Sequence, residues 1–236
     1  MTRHALALNP GALSHYVDPS AYRRRYAARE EDVRYYRRIS RRAGGEVLEY
    51  GCGNGRVTLA LARARVQVTA VDASPFMLDD LRRELRGVDA GTRRRVRLVR
   101  GDMRTLRFRR RFRLVIMPFN VFAHLYDRRD VELLLARVRR QLLPGGRLVF
   151  DVYQPRMSEL GGALNGYFYE PLSQVLTLTF DGDPPSVLCL RQFFPAELRM
   201  LLEYNGFSRV RMTSDFEGAK VDEDTTSIVV SASPVD

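Results

Sequence analysis

The run Val47-Leu48-Glu49-Tyr50-Gly51-Cys52-Gly53-Asn54-Gly55-Arg56 constrains the fold more than any other stretch of the chain. An apolar strand leads into glycines spaced G-x-G-x-G, and a helical pattern begins at once. Glycine accepts the tight turn and lets backbone approach a ligand closely. The helix that opens there directs free N–H groups and the positive end of its dipole at whatever binds. A nucleotide-like ligand with a carboxylate or phosphate tail suits that geometry. The dinucleotide fingerprint G-x-G-x-x-G is met at Gly51 and Gly53, but its last place is Arg56 and the third glycine falls early, at Gly55. That departure disfavours a nicotinamide-dependent oxidoreductase. Strand–glycine–helix turns also arise for packing alone, and Cys52 has a plain reading there as a small side chain.

Beyond this turn, strands and helices alternate. Strands are expected at 46–50, 66–71, 96–99, 112–117 and 147–153. Helices are expected at 57–64, from Ser74-Pro75 to about Leu85, and from Asp130 to Leu143, where Pro144-Gly145-Gly146 stops the helix. Val131, Leu134, Leu135, Val138 and Leu142 share one face of that last helix. Such alternation predicts a doubly wound parallel α/β sheet. Residues 13–42 read as helical and polar, with a start at Asp18-Pro19-Ser20. Tyr167–Tyr169, Val175–Phe180 and Val187–Phe193 read as strands without intervening helices, broken at Asp181-Gly182-Asp183-Pro184-Pro185, and so predict a small antiparallel insert. A short helix at Pro195–Tyr204 and strands at 207–212 and 226–230 close the chain.

At 236 residues the chain fits one domain with a proper core. The expected subdivision is an N-terminal helical segment (1–42), a ligand-binding core (43–153), the insert (154–194) and a terminal helix with a strand pair (195–236). No apolar run approaches the roughly 20 residues of a membrane span. Met1-Thr2-Arg3-His4 leads into no secretory signal pattern. Two cysteines, Cys52 and Cys189, make no disulfide framework and fit a reducing cytoplasm. The three histidines, His4, His15 and His124, are scattered, so no metal site is expected. The net charge is +11, carried almost wholly by arginine, since Lys220 is the only lysine. Arg23-Arg24-Arg25, Arg93-Arg94-Arg95 and Arg109-Arg110-Arg111 are either a solvated basic surface or a phosphate-binding face. They lack interleaved aromatics, so no platform for stacking RNA bases is evident.

In such sheets ligands bind past the carboxyl ends of the strands. Asp72 ends the second strand, roughly 20 residues after Gly51, where a carboxylate accepts both hydroxyls of a ribose. Its other reading is a helix cap, for which Ser74 competes. Asp102, after the third strand, is placed to accept from an adenine amino group, with Met103 as an apolar wall. The glycine turn, Asp72 and Asp102 therefore follow consecutive strands in the order an adenosyl ligand needs.

VLEYGCGNGRVTLALA, VTAVDASPFMLDDL, RLVRGDMRTL, FRLVIMPFNVFAHL, LLPGGRLVFDVY and RQFFPAELRMLLEYNGFSRV resemble the motif series of small-molecule class I S-adenosylmethionine (SAM)-dependent methyltransferases. E-x-G-x-G-x-G, from Glu49 to Gly55, resembles their motif I. Within that fold the chain is most similar to the group containing glycine/sarcosine and amino-sugar N-methyltransferases. The resemblance implies a seven-stranded Rossmann-like sheet in the order 3-2-1-4-5-7-6, last strand antiparallel. It implies Glu49, Gly51, Cys52, Gly53 and Gly55 around the methionine part of SAM, Asp72, Ala73 and Met77 by the ribose, Asp102 and Met103 at adenine, and Pro118 near the transferred methyl. The N-terminal helices resemble a lid, with Tyr16, Tyr22 and Arg25 as candidates to close over cofactor or substrate. Phe119, His124, Tyr153 and Tyr167 are the other candidate acceptor-binding residues, and Tyr167, Phe168, Tyr169, Phe193 and Phe194 either roof the acceptor pocket or form the insert's core. His124 and Asn120 are the candidate catalytic residues, His124 as proton acceptor.

Motif IV departs from one variant. Met117-Pro118-Phe119-Asn120 lacks the polar residue with which base- and protein-amide-methylating families bind a planar nitrogen. The expected activity is therefore methyl transfer to nitrogen or oxygen of a small molecule, yielding S-adenosylhomocysteine, by a monomer or homodimer with no membrane partner, a nucleic-acid partner being disfavoured but not excluded. In-line placement of nucleophile, methyl and sulfur carries most of such catalysis. Two alternatives remain open at this level: an RNA methyltransferase using the arginine clusters, and a SAM-binding protein without catalysis.

Overall fold

The structure, a computed structural model, describes residues 14–154, 167–182 and 185–235. The Met1–His4 reading, residues 155–166 of the expected insert and Asp183-Pro184 of its turn lie outside the described residues.

Seven strands form the main sheet. They are β1 (Val47–Tyr50), β2 (Val68–Asp72), β3 (Val96–Arg100), β4 (Phe112–Met117), β5 (Leu142–Tyr153), β9 (Phe207–Thr213) and β10 (Ser227–Pro234). Their order is β3-β2-β1-β4-β5-β10-β9. β1 to β5 run parallel, and β10 pairs antiparallel with both β5 and β9. Counting only sheet strands, this is the expected 3-2-1-4-5-7-6 order. The smaller antiparallel sheet, β6 (Tyr167–Glu170), β7 (Val175–Phe180) and β8 (Ser186–Arg191), is the expected insert.

The N-terminal helical stretch is two helices, α1 (Pro19–Arg25) and α2 (Glu31–Ala43). Asp18 caps α1 by accepting from the Ser20 and Ala21 N–H groups, with Pro19 opening the helix. The α/β alternation supplies α3 (Arg56–Arg63), α4 (Pro75–Arg86), capped by Ser74, and α6 (Arg128–Gln141), capped by Asp127. A short helix absent from the expectation, α5 (Ala90–Arg94), rests on a hydrogen bond from Thr92 N–H to Asp89. The terminal helix is α7 (Pro195–Tyr204).

Side chains alternate across the buried strands. Leu48, Tyr50, Val115 and Met117 join one core with α6 and α7; Val47, Val68, Leu114 and Ile116 join the other with α2, α3 and α4. Both faces are thus covered, and function is left to the loop ends. One expectation needs correcting. Pro144-Gly145-Gly146 does not separate helix from strand, because β5 already begins at Leu142. Leu142 pairs with Phe112 and Arg147 with Leu114, so the Pro-Gly-Gly segment is an irregularity within the ladder, with Gly145 at φ 71°.

Candidate active site at the carboxyl ends of the strands

The glycine turn is pinned at both ends and open in the middle. Gly51, Gly53 and Gly55 have φ of 65°, 54° and 88°. A Cβ on Gly51 would stand 2.2 Å from Val121 Cγ2, and one on Gly55 2.2 Å from Leu81 Cδ1, while one on Gly53 would meet nothing within 4 Å. Asp72 ties this turn to the next loop: Gly53 N–H donates to its Oδ2 (2.7 Å) and Ser74 N–H to its Oδ1 (2.8 Å). Burial raises its pKa against the pull of these backbone hydrogen bonds. Ser74, not Asp72, caps α4. Beneath the turn, Glu49 is buried and accepts from Thr58 Oγ1 at 2.7 Å, and burial pushes its carboxyl up to about 8.

The loops leaving β1, β2, β3 and β4 enclose a cavity of about 540 Å³. Glu49, Gly51, Cys52, Gly53, Asp72, Ala73, Met77, Asp102, Met103 and Pro118 all line it. Gly55 does not; its missing side chain serves helix packing against Leu81. Arg104 holds Asp102 through its Nε and Nη2 groups and reaches Asp130 at 2.6 Å, which fixes the β3 loop on α6. From the N-terminal side come Tyr16 and Tyr22, and from beyond β4 come Phe119 and His124.

Motif IV adopts an uncommon backbone. Phe119 and Asn120 stand at φ 60° and 66°, a conformation that costs a non-glycine residue energy and persists only when its surroundings hold it. Asp151 does the holding. Its Oδ1 accepts from Phe119 N–H (2.8 Å) and from the Tyr36 hydroxyl (2.6 Å), and its carbonyl accepts from Asn120 N–H. Burial raises the Asp151 pKa to about 6, with the two hydrogen bonds opposing. The Asn120 side chain accepts from Tyr153 N–H, which ties the turn to the end of β5. Arg29 and Arg56 stand over the Phe119 ring, 4.8 and 5.2 Å from its centre.

A hydrogen-bonded chain runs along one wall. The Tyr16 hydroxyl lies 2.7 Å from His124 Nε2, His124 Nδ1 lies 3.4 Å from the Tyr126 hydroxyl, and that hydroxyl donates to the Cys189 carbonyl at 2.9 Å. The last bond sets the directions: Tyr126 accepts from Nδ1–H, so Nε2 accepts from Tyr16. Burial lowers the His124 pKa to about 4 and raises that of Tyr16, so both groups are neutral at physiological pH.

A second, smaller cavity of about 170 Å³ adjoins the first, and Tyr16, Tyr22 and Phe119 line both. His15, Tyr26, Asn120, Tyr153 and Tyr167 also line it. Arg25 lines neither cavity; its guanidinium lies 4.3 Å from the centre of the Phe180 ring. Of Tyr167, Phe168, Tyr169, Phe193 and Phe194 only Tyr167 lines either cavity, and Phe180 of β7 joins it in the smaller one. Phe168 is 61% exposed, and Phe193 is core, packed 5.0 Å from Phe122. Asp151, Asp32, Tyr36, His15 and Tyr26 escaped the sequence reading. The one signal for Asp151 was an acidic residue inside the otherwise apolar β5 run.

Residues 47–146 match the family described as a methyltransferase domain. Among curated proteins, the cypemycin N-terminal methyltransferase of a Streptomyces species is 36% identical over 143 residues, 59% of this chain and 56% of that protein. The match thus spans little more than half of the relative's length. Among solved structures, the CcbJ methyltransferase of Streptomyces caelestis is 23% identical, with a TM-score of 0.82 over 94% of this chain and 98% of that one. The glycopeptide N-methyltransferase MtfA complexed with SAM is 25% identical, with a TM-score of 0.66 over 86% and 87% of the two chains.

Proposed function

From a chain whose residues 47–146 match the methyltransferase-domain family, and whose sheet is that of class I methyltransferases, we infer a SAM-dependent methyltransferase that acts on the nitrogen of a small-molecule or peptide amine. The observation that carries this reading is the convergence of the first three strand loops, with Gly53, Asp72 and Asp102, on one cavity of about 540 Å³, a ligand-sized volume.

The residues present fit SAM. The open side of Gly53 leaves room for close approach to backbone. Asp72 faces the cavity as a ribose acceptor, and Asp102 with Met103 suits adenine. Glu49, kept protonated by burial, would be drawn back to its ionised form by an ammonium group beside it. When bound, SAM would supply an electrophilic methyl carbon on a cationic sulfur, which would keep the C–S pair as S-adenosylhomocysteine, while the acceptor nitrogen would give its lone pair to the methyl and lose its extra proton. The chain's part is placement and proton handling. Phe119, fixed by Asp151, stands where the two cavities meet. The Tyr16 oxygen accepts a hydrogen bond from the acceptor's N–H while donating its own hydrogen to His124, a path by which a proton leaves the nitrogen. α1 and α2 act as the lid that excludes water: Arg23 pairs with Asp80 of α4, and Asn54 Nδ2 donates to the Pro19 carbonyl.

Nitrogen is preferred to oxygen because the cypemycin and glycopeptide relatives are by name N-terminal and N-methyltransferases. Calorimetry with SAM tests the cofactor, and a screen of amines and alcohols for conversion of SAM to S-adenosylhomocysteine tests the reaction. Absence of SAM binding would end the reading; turnover with alcohols alone would end the choice of nitrogen.

A further inference from the structure

The smaller cavity differs in character from the larger. Its lining side chains, among the described residues, carry no formal charge at neutral pH; they are tyrosines, phenylalanines, leucines, Asn120 and His15. Its volume of about 170 Å³ is close to the roughly 150 Å³ of an apolar cavity that holds benzene. It also contains one unmet polar atom. His15 is 5% exposed, and its Nδ1 has no hydrogen-bond partner among the described residues. The Tyr26 hydroxyl lies 2.9 Å from His15 Nε2, and in either tautomer Nδ1 is left without a partner among the described residues. An orphaned buried polar atom costs on the order of 1–3 kcal/mol, which a polar group of a ligand would recover.

We propose that this chamber is the seat of the methyl acceptor, and that it selects an uncharged amine on a benzene-sized group that also bears a polar atom to pair with His15 Nδ1. The proposal rests on the SAM-dependent reading, since it places the amine at the boundary of the two cavities, where Tyr16, Tyr22 and Phe119 line both. Cations ring the chamber from behind its aromatic walls: Arg25 over Phe180, and Arg29 and Arg56 over Phe119. The nearby carboxylates are engaged elsewhere, Asp151 with Tyr36 and the Phe119 N–H, Asp32 with Arg56, and Asp72 on the far side with Gly53 and Ser74. The same surroundings lower His15 to about 4, first by burial and then by the charge of Arg25. An amine entering this chamber is stripped of its proton for the same reasons, which is what a nucleophile requires. An α-amine beside an amide carbonyl fits best. Its ordinary pKa, about 8 against about 10.4 for a lysine-type amine, makes the free base accessible, and its amide, with both an N–H and a carbonyl oxygen, pairs with His15 Nδ1 in either tautomer.

The test uses the full chain saturated with S-adenosylhomocysteine and probed by NMR titration with alaninamide and with its N,N,N-trimethyl derivative, a permanent cation. Alaninamide affinity should rise about tenfold per pH unit from pH 6 until its own amine is deprotonated. The trimethyl derivative should bind at least about tenfold more weakly at pH 8, and His15→Phe should weaken alaninamide about tenfold. Leu190→Trp, or Leu178→Trp at a half-buried position should the first fail to fold, should abolish alaninamide binding and leave S-adenosylhomocysteine affinity within about twofold. Equal or tighter binding of the trimethyl cation, or unchanged alaninamide binding in a folded tryptophan variant, would overturn the chamber assignment alone. Wild-type protein that binds no S-adenosylhomocysteine would overturn the assignment together with the reading beneath it.

Discussion

Arg56 and Asp32 meet fork to fork, Nη1 to Oδ1 at 2.7 Å and Nη2 to Oδ2 at 2.6 Å, with the Asp32 side chain wholly buried. The position where a dinucleotide fingerprint carries its last glycine is used here to clamp α2 onto α3. Removing one partner strands a buried charge. Asp32→Ala should therefore cost about 3–5 kcal/mol in urea unfolding, and Asp32→Leu combined with Arg56→Met should recover most of it. Equal losses in single and double variants would show that the pair is not the source.

Asp151 is a second such point. Asp151→Ala leaves the Tyr36 hydroxyl and Phe119 N–H unpaired and should destabilise by about 2–4 kcal/mol. Asp151→Asn keeps an acceptor oxygen and should stay within about 1 kcal/mol of wild type. Urea titrations of the two variants check the contrast.

The three glycines should answer differently to alanine. Gly51→Ala and Gly55→Ala drive a Cβ into Val121 and Leu81 and should cost stability by about 1–3 kcal/mol beyond backbone strain. Gly53→Ala meets open space, so it should lose only about 1–2 kcal/mol to its left-handed backbone and show its larger effect on SAM affinity. Thermal melts paired with calorimetry separate the two outcomes.

Asp72→Ala should weaken SAM binding by about 1–3 kcal/mol, the scale of a lost buried hydrogen-bonded charge. Unchanged calorimetric affinity would remove Asp72 from the ribose.

His124 is neutral in the native state, with a pKa of about 4 against 6.5 unfolded. Below pH 6.5 the unfolded chain takes up a proton that the native state refuses, so stability falls as pH drops and levels off near pH 4. His124→Phe should abolish that term, and the loss between pH 6.5 and 4 should shrink by about 3 kcal/mol relative to wild type. Glu49 and Asp151, whose carboxyls are raised by burial, run the other way, so the comparison must be variant against wild type at each pH.

What could be read from the chain was what is local. The glycine turn and the Asp72 and Asp102 positions are set by residues within a few places of one another, and the strand alternation by periodicity. The Pro-Gly-Gly segment was misplaced because its punctuation marks a break without saying whether the break precedes a strand or lies inside one. α5 has five residues and too little periodicity to register. For another reason, the hydrogen-bonded pairings around the two cavities were not legible. Tyr36 and Asp151 are 115 residues apart and Tyr16 and His124 are 108 apart, and only the folded chain brings them together. Phe193 and Phe168 carry the same aromatic signal, yet one is core and the other surface.

Tyr16 and Tyr22 belong to the segment before the first strand, and each forms part of both cavities. The two rooms therefore share one door leaf. On the proposed function, swinging that segment outward would expose them simultaneously, and exchange of spent cofactor and arrival of the next acceptor would share a single gating motion rather than two.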